Sequence, residues 1–395
     1  MGLPIADRMA HLQRNVFADM DRAKALSPHP IIDLSLGSSD LPTPDHVLEA
    51  IAQNLQNPAT HGYLLFNGTV VFRSAVADWY GDRYGVPIDA DTEVLPLIGS
   101  QEGTAHLPLA VLNPGDYALL MDPGYPSHSG GVALAGGQIY PMKLTAEQGY
   151  LPQFDSIPEE VLAQAKLMVL SYPHNPTTAI ASLAFFKTAV AFCQQHGIVL
   201  AHDFPYADLV FDGHTAPSIL QADPDKTTSI EFFTFSKSYN MGGFRLGFAI
   251  GNAQLIQALR QVKAAVDFNQ YLGILNGGIA ALQGDQTCVQ QAVQTFGDRR
   301  DALVSALGAI GWQVETPKAA MYLWAKLPEP YSTDSIAFCQ ALVIATGVAL
   351  SPGVGFGEGG EGYVRFALVQ PPEVLAQAVE RIGEFLKVGS RNAER

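Results

Sequence analysis

Lys237 stands in the stretch Thr234-Phe235-Ser236-Lys237-Ser238-Tyr239-Asn240-Met241-Gly242-Gly243-Phe244-Arg245-Leu246-Gly247. An apolar run, Phe232 to Phe235, delivers this lysine into a patch of small and hydroxylic residues. A lysine at the end of a buried strand loses its proton readily and attacks carbonyl carbon. Thr234, Ser236 and Arg245 are the donors a phosphate needs beside it. A lysine next to a phosphate site points to pyridoxal phosphate held as a Schiff base. An ordinary strand, loop and strand with two solvated cations explains the same stretch equally well.

Four further elements bear on that choice. His202-Asp203-Phe204-Pro205-Tyr206 follows an apolar run, and a carboxylate there can pair with a cationic ring nitrogen while the phenol reaches a ring oxygen. Asp203 by itself would more often be a loop or capping residue. Tyr172-Pro173-His174-Asn175-Pro176 also follows an apolar run; Asn-Pro is a common turn, or the Asn175 amide donates to a ring hydroxyl. Gly99-Ser100-Gln101-Glu102-Gly103 joins an apolar run to a helical pattern, which makes an anion cradle of backbone amides and helix dipole. Finally, Arg365 sits inside the strand pattern Gly362 to Leu368, where a charge needs a partner. That partner is either a structural carboxylate or a substrate carboxylate held by two parallel bonds.

The elements that must position these residues are legible as alternation. From Thr92 onward, short apolar runs at Val94–Ile98, Tyr117–Met121, Gln138–Met142, Leu167–Ser171, Ile198–Ala201, Phe232–Phe235 and Leu246–Ile250 are separated by helical segments. Such runs predict an α/β fold whose mostly parallel sheet is covered on both faces. Ligands then bind at the carboxyl ends of the strands, which is where Ser100, Asn175, Asp203 and Lys237 fall. Residues 1–36 read as a helix and a short strand, Ile31 to Leu36. After a long helical stretch from Asn252 come strand candidates at Trp312–Glu315, Met321–Leu327, Val348–Leu350 and Tyr363–Leu368. The expected division is a large domain over 45–285 and a smaller α+β domain from 1–44 and 286–395. The Gly353-Val354-Gly355-Phe356-Gly357 run has no helix after it and reads as a flexible loop.

Composition narrows the classes. The chain has 395 residues, 48% of them apolar, which is enough for two sizeable cores. A net charge of −15 argues against a nucleic-acid or anionic-membrane surface. No run reaches the length of a membrane span, and Met1 to Asp21 lacks an apolar signal core, so a cytoplasmic protein is expected. Cys193, Cys288 and Cys339 are scattered, which indicates neither a disulfide framework nor a metal site. The Gly99-Ser100-Gln101-Glu102-Gly103 loop is neither a Walker A loop nor GxGxxG, which disfavours nucleotide chemistry, and the strand–glycine–helix fingerprint of a nicotinamide dehydrogenase is not found.

The motifs together resemble the class I/II aminotransferases of the fold-type I pyridoxal-phosphate group. They are LxxG at Leu34–Gly37, the Tyr63 loop, GSxEG, the PGYP of Pro123–Pro126, the Asn175-Pro176 turn, the Asp203…Tyr206 pair, SKxxNMxGxRxG, and VRFAL near the C-terminus. They occur in the family's order over almost the whole chain. The resemblance implies that Lys237 bonds the cofactor and moves the proton, while Asp203 holds the ring nitrogen and Asn175 and Tyr206 the ring oxygen. It further implies that Ser100, Gln101, Thr234, Ser236 and Arg245 hold the phosphate and that Tyr125 stacks on the ring. Gly37, Asn175 and Arg365 would bind the substrate. Tyr63 would reach the neighbour's phosphate, so a homodimer with shared active sites is implied, with ping-pong exchange between an amino acid and a 2-oxo acid.

The text around GSxEG and DPGYP is most similar to LL-diaminopimelate and N-succinyldiaminopimelate aminotransferases, although Gln101 replaces their more usual lysine. Aspartate, alanine, glutamate and aromatic amino acids are the alternative donors. Asp267, Asn269, Gln270 and Tyr271, in a region that often meets the neighbour's pocket, offer no arginine for a distal carboxylate, which disfavours a dedicated aspartate enzyme. A carbon–sulfur β-lyase shares nearly every motif, and a non-catalytic regulator would need a further DNA-binding domain. The departures are Thr178 in place of the usual glycine, Met241-Gly242-Gly243-Phe244 in place of Met-Thr-Gly-Trp, and Phe204-Pro205 between Asp203 and Tyr206. They affect geometry more than chemistry.

Overall fold

The computed structural model describes residues 3, 5–12 and 16–393. Met1, Gly2 and residues 13–15 of the expected N-terminal helix lie outside them. Asp7–His11 forms a 3-10 turn and Val16–Leu26 a helix.

Twelve strands form three sheets among the described residues. In chain order they are β1 (Ile32–Asp33), β2 (Val94–Leu97), β3 (Tyr117–Asp122), β4 (Gln138–Lys143), β5 (Ala165–Ser171), β6 (Val199–Asp203), β7 (Ser229–Thr234) and β8 (Gly247–Gly251), then β9 (Tyr322–Lys326), β10 (Val348–Ala349), β11 (Ser351–Pro352) and β12 (Tyr363–Ala367). The large sheet has the order β2-β8-β7-β6-β5-β3-β4 and uses all seven apolar runs. β3 to β7 are joined by parallel pairing, while β8 runs antiparallel to both β7 and β2. Because β2 and β7 each oppose β8, they run the same way. The end of β2, the ends of β5, β6 and β7, and the start of β8 therefore share one edge. β5 to β8 are almost wholly buried, as a sheet covered by helices on both faces must be.

The core has separate parts. Two apolar clusters pack against the two faces of the large sheet. A third joins Met20, Ile32 and Leu34 to Phe296, Trp312, Leu323, Phe338, Phe366 and Leu375, so the N-terminal segment packs with the C-terminal elements. There β1 pairs in parallel with β10, and β11-β12-β9 form an antiparallel sheet.

Three expectations are corrected. Trp312–Glu315 is not a strand; Trp312 is buried and its indole donates to the Lys326 carbonyl at 2.8 Å, so the apolar signal reflects side-chain burial and not ladder pairing. Phe235 ends the apolar run inside a helical turn, Phe235–Ser238, and not in β7. The Gly353–Gly357 run is a buried 3-10 turn over Gly353–Phe356, because Gly353 packs backbone-to-backbone on Gly360, where a Cβ has no room.

Candidate active site

The shared sheet edge opens into a cleft of about 880 Å³ lined from both ends of the chain: Gly37 and Ser38, Ser100 and Gln101, Tyr125, Asn175, Asp203 and Tyr206, Thr234, Ser236 and Lys237, Arg245, Tyr322, Phe356 and Arg365. Every expected site residue except Tyr63 lines it. Tyr63 is 94% exposed and lies outside the cleft of its own chain.

Lys237 arrives on the one-turn helix after β7. Thr234 caps that turn: its hydroxyl oxygen accepts from the Ser236 amide at 3.2 Å and lies 2.9 Å from the Ser236 hydroxyl. The Thr234 side chain is thus engaged with its own turn. The Lys237 ammonium donates to the Gly37 carbonyl and lies 6.0 Å from the centre of the Tyr206 ring. Gly37 is required here, since a Cβ at this position collides with the Tyr322 hydroxyl.

Opposite stands an anion cradle. Gly99, at φ +74°, turns β2 into the helix Ser100–Val111, so the first amides of that helix face the cleft. Arg245 leans across Gly99, where a Cβ would sit 2.5 Å from its guanidinium. The exposed Arg245, the half-buried Ser100 and the buried Ser236 converge on this corner. Behind it, the buried Glu102 accepts from the Ile98 amide and pairs with the fully buried Lys263 at 2.8 and 3.0 Å. Glu102, His106 and Asp267 could group around a cation; the Lys263 ammonium serves there, 3.6 Å from Asp267.

Asp203 ends β6 and is 5% exposed. One carboxylate oxygen meets His128 Nε2 at 3.1 Å, and the other is buried with no protein partner. A buried acceptor of this kind calls for a cationic donor, which a protonated ring nitrogen supplies. Asn175 presents its Oδ1 to Arg365 Nη1 at 2.8 Å, which leaves its NH₂ as the free end toward the cleft. Tyr206 and Tyr322 face each other hydroxyl to hydroxyl at 2.9 Å. Burial, and then the Tyr322 charge, push the Tyr206 phenol well up. Burial also works to raise Tyr322, but Lys237 and Arg365 beside it bring it below its ordinary value.

Arg365 is 4% exposed. It donates to Asn175, to the Ser35 carbonyl at 2.8 Å and to Ser351 at 3.3 Å, and is layered on the Tyr322 and Phe356 rings at 4.1 and 4.6 Å. Its Nε is buried without a partner, and among the described residues no carboxylate pairs with it. A buried, aligned and uncompensated guanidinium is a receptor for an incoming carboxylate. The phosphate corner, the unsatisfied Asp203 oxygen, the lysine between them and this arginine fit pyridoxal phosphate with an amino acid beside it.

Sequence reasoning misses His128, Tyr322 and Ser35. His128 follows Tyr125 by three residues at the start of the helix Pro126–Ala135, and that spacing is an available signal. Tyr322 and Ser35 carry none, because only the third dimension brings them to Arg365.

Comparison with known proteins places these features in a family. The sequence model described as Aminotransferase class I and II matches residues 29–382. The chain is 42% identical over 386 residues to an LL-diaminopimelate aminotransferase of Dehalococcoides mccartyi, covering 97% of this chain and 99% of the relative. It is 41% identical over 377 residues to the glutamate-pyruvate aminotransferase AlaC of Escherichia coli, covering 95% and 92%. A solved structure of a probable N-succinyldiaminopimelate aminotransferase from Thermus thermophilus superposes with TM-score 0.88 at 42% identity, covering 93% of this chain and 99% of that one.

Proposed function

Because the chain belongs to the class I and II aminotransferases, enzymes that use pyridoxal phosphate to transfer amino groups, we propose that its donor is LL-diaminopimelate or a related dicarboxylic amino acid and its acceptor 2-oxoglutarate. The observation that supports an amino-acid substrate is Arg365, buried and without an acidic partner, facing Lys237 and Asp203 across one cleft. Similarity to LL-diaminopimelate and N-succinyldiaminopimelate enzymes supports the donor class.

The residues then have separable tasks. Ser100, the Gln101 amide, Ser236 and Arg245 anchor the phosphate, with Thr234 shaping the turn that presents Ser236. Asp203 holds the ring nitrogen in its protonated form, His128 orients that carboxylate, Asn175 and Tyr206 hold the ring oxygen, and Tyr125 covers the ring face. Bound there, pyridoxal phosphate supplies the electron sink for breaking the Cα–H bond. Arg365 grips the α-carboxylate beside Gly37 and so fixes which Cα bond faces Lys237. Lys237 in its amine form would take the proton from the substrate Cα onto Nζ and hold it there for return. The layered Tyr322 and Phe356 rings exclude water from the guanidinium, which strengthens its grip.

Tyr63 and its exposed neighbours Leu65, Val70 and Val71 support a homodimer in which each Tyr63 serves the other cleft. The large and small domains divide at 45–285 on this reading. Among the described residues no helix is long and apolar enough to cross a membrane. On the strength of its three free cysteines we assign the protein to the reducing cytoplasm.

A second reading is glutamate–pyruvate exchange. The comparable similarity to AlaC favours it. The deciding experiment titrates the purified protein with one amino acid at a time and follows the visible band of the bound cofactor. LL-diaminopimelate should bleach the band fastest and 2-oxoglutarate should restore it. Faster bleaching by alanine or glutamate would replace the first reading with the second. Pyruvate and ammonia from cystathionine with no acceptor present would identify a β-lyase, and a Lys237→Ala protein that kept the wild-type band would remove the lysine from its role.

A further inference from the structure

On the face of the sheet opposite the cleft lies a buried polar network that none of the roles above uses. His202 and Glu231 are direct partners across β6 and β7 and are 0% and 1% exposed. His202 Nδ1 is 2.7 Å from Glu231 Oε2. Its Nε2 lies 3.2 Å from the amide nitrogen of Tyr172 and 3.1 Å from its carbonyl oxygen. Glu231 also accepts from the Ile219 amide at 2.8 Å and from the Tyr80 hydroxyl. Tyr80 remains a donor, because burial and the Glu231 charge hold its phenol well above the ordinary value.

Donor and acceptor chemistry fixes the ring's role. A carboxylate can only accept, so His202 Nδ1 carries the proton toward Glu231, and in the neutral ring Nε2 then accepts the Tyr172 amide hydrogen. The imidazole is held between the Phe186 and Phe204 rings, each 4.8 Å away. One side chain thus bolts the end of β5 to β6 and, through Glu231, to β7. Those are the strand ends that project Asn175, Asp203 and Lys237. Side chains alternate along a strand, so His202 points away from the cleft and Asp203 into it, one residue apart. Ser171 and Asp203 are register partners, and a slip at Tyr172 therefore moves Asn175 relative to Asp203.

We propose that His202, seated on Glu231, is a positioning residue for the transfer reaction: it sets the depth and spacing at which Asp203 and Asn175 meet the cofactor ring. The proposal rests on the reading of Asp203 as the partner of the ring nitrogen.

The test uses the full-length protein as His202→Leu, Glu231→Gln and Asp203→Asn variants. For each, three quantities are measured: the dissociation constant for pyridoxal phosphate, the visible circular dichroism per bound cofactor, and the thermal midpoint. Glu231→Gln keeps size and the acceptor for Tyr80, but loses the pure acceptor that orients His202. The expected result is a cofactor dissociation constant raised about tenfold in His202→Leu, equivalent to one well-placed hydrogen bond. Its visible dichroism should weaken because the ring is no longer held at one tilt, and Glu231→Gln should shift both readings the same way by less. A folded His202→Leu with a lowered thermal midpoint but wild-type dissociation constant and dichroism overturns the proposal, since a purely structural role moves only the first. Should His202→Leu fail to fold, Glu231→Gln decides by the same criterion. If Asp203→Asn alone leaves both cofactor readings unchanged, the role given to Asp203 fails; if Asp203→Asn changes them and the other two do not, only the clamp fails.

Discussion

Replacing Arg365 by methionine isolates the contribution of the carboxylate receptor. Methionine keeps most of the aliphatic volume between the Tyr322 and Phe356 rings but removes the charge. In the wild type, Nη1 and Nη2 are already committed to Asn175 and Ser35, so the guanidinium is oriented before substrate arrives. Two charge-assisted bonds to the α-carboxylate, at roughly 1.5–3 kcal/mol each, give ~3–6 kcal/mol, or about 10²- to 10⁴-fold in kcat/KM. The assay compares an amino acid with the amine that lacks its carboxylate. The wild type should prefer the amino acid by about that factor, and Arg365→Met should lose the preference, chiefly by slowing the amino acid. The cofactor dissociation constant, measured alongside, should change little, since Arg365 makes no contact at the phosphate corner. The reasoning is refuted if Arg365→Met slows the amino acid and the amine equally, because Arg365 would then be a structural cation holding Asn175.

Three further outcomes are expected. Thr178 adopts φ +63°, a left-handed conformation that costs a β-branched residue about 1–2 kcal/mol; Thr178→Gly should therefore raise stability by roughly 0.5–1 kcal/mol after the added chain entropy, read in urea unfolding, and a destabilised variant would contradict this. Burial, helped by the charge of His128, holds His174 down at about 3, so protonation favours the unfolded chain: stability is complete above pH 6.5 and falls as pH drops toward 3, at up to about 1.4 kcal/mol per unit. His174→Asn should flatten that acid slope, and an unchanged slope would exclude the residue as its source. Lys263→Met leaves Glu102 buried and unpaired and should cost ~3–5 kcal/mol, whereas Lys263→Met with Glu102→Gln should recover part of the loss; a single variant as stable as wild type would show the pair to be dispensable.

How much of this is legible depends on whether a feature is local. The seven strands of the large sheet each appear as a continuous apolar run, and for the strands other than β8 the segment after the run is placed at the cleft edge by chain direction alone. Ser100, Asn175, Asp203 and Lys237 are found that way. The reversal of β8 is not legible, because an antiparallel strand buried on both faces has the same composition as a parallel one. Trp312 misleads for a related reason: burial marks a residue as interior but does not say whether its backbone or its indole makes the bond. The Gly353–Gly357 turn is misread because glycine signals freedom in isolation, whereas here it permits contact with Gly360.

Arg365 shows where sequence reasoning stops. Its type and its apolar surroundings predict that something must answer its charge, but a structural carboxylate and a substrate carboxylate predict the same local sequence. What separates them is whether an acid from elsewhere in the chain reaches it. Asp40 instead pairs with Arg299, and Asp212 with Arg300. Asp203 turns to His128, and Glu231 is on the opposite face with His202. Each of these carboxylates has its own partner, so the buried guanidinium stacked on two rings at the cleft is left for a ligand. The functional assignment of Arg365 therefore comes from how the fold distributes its acids, a property of the whole chain that no motif around residue 365 contains.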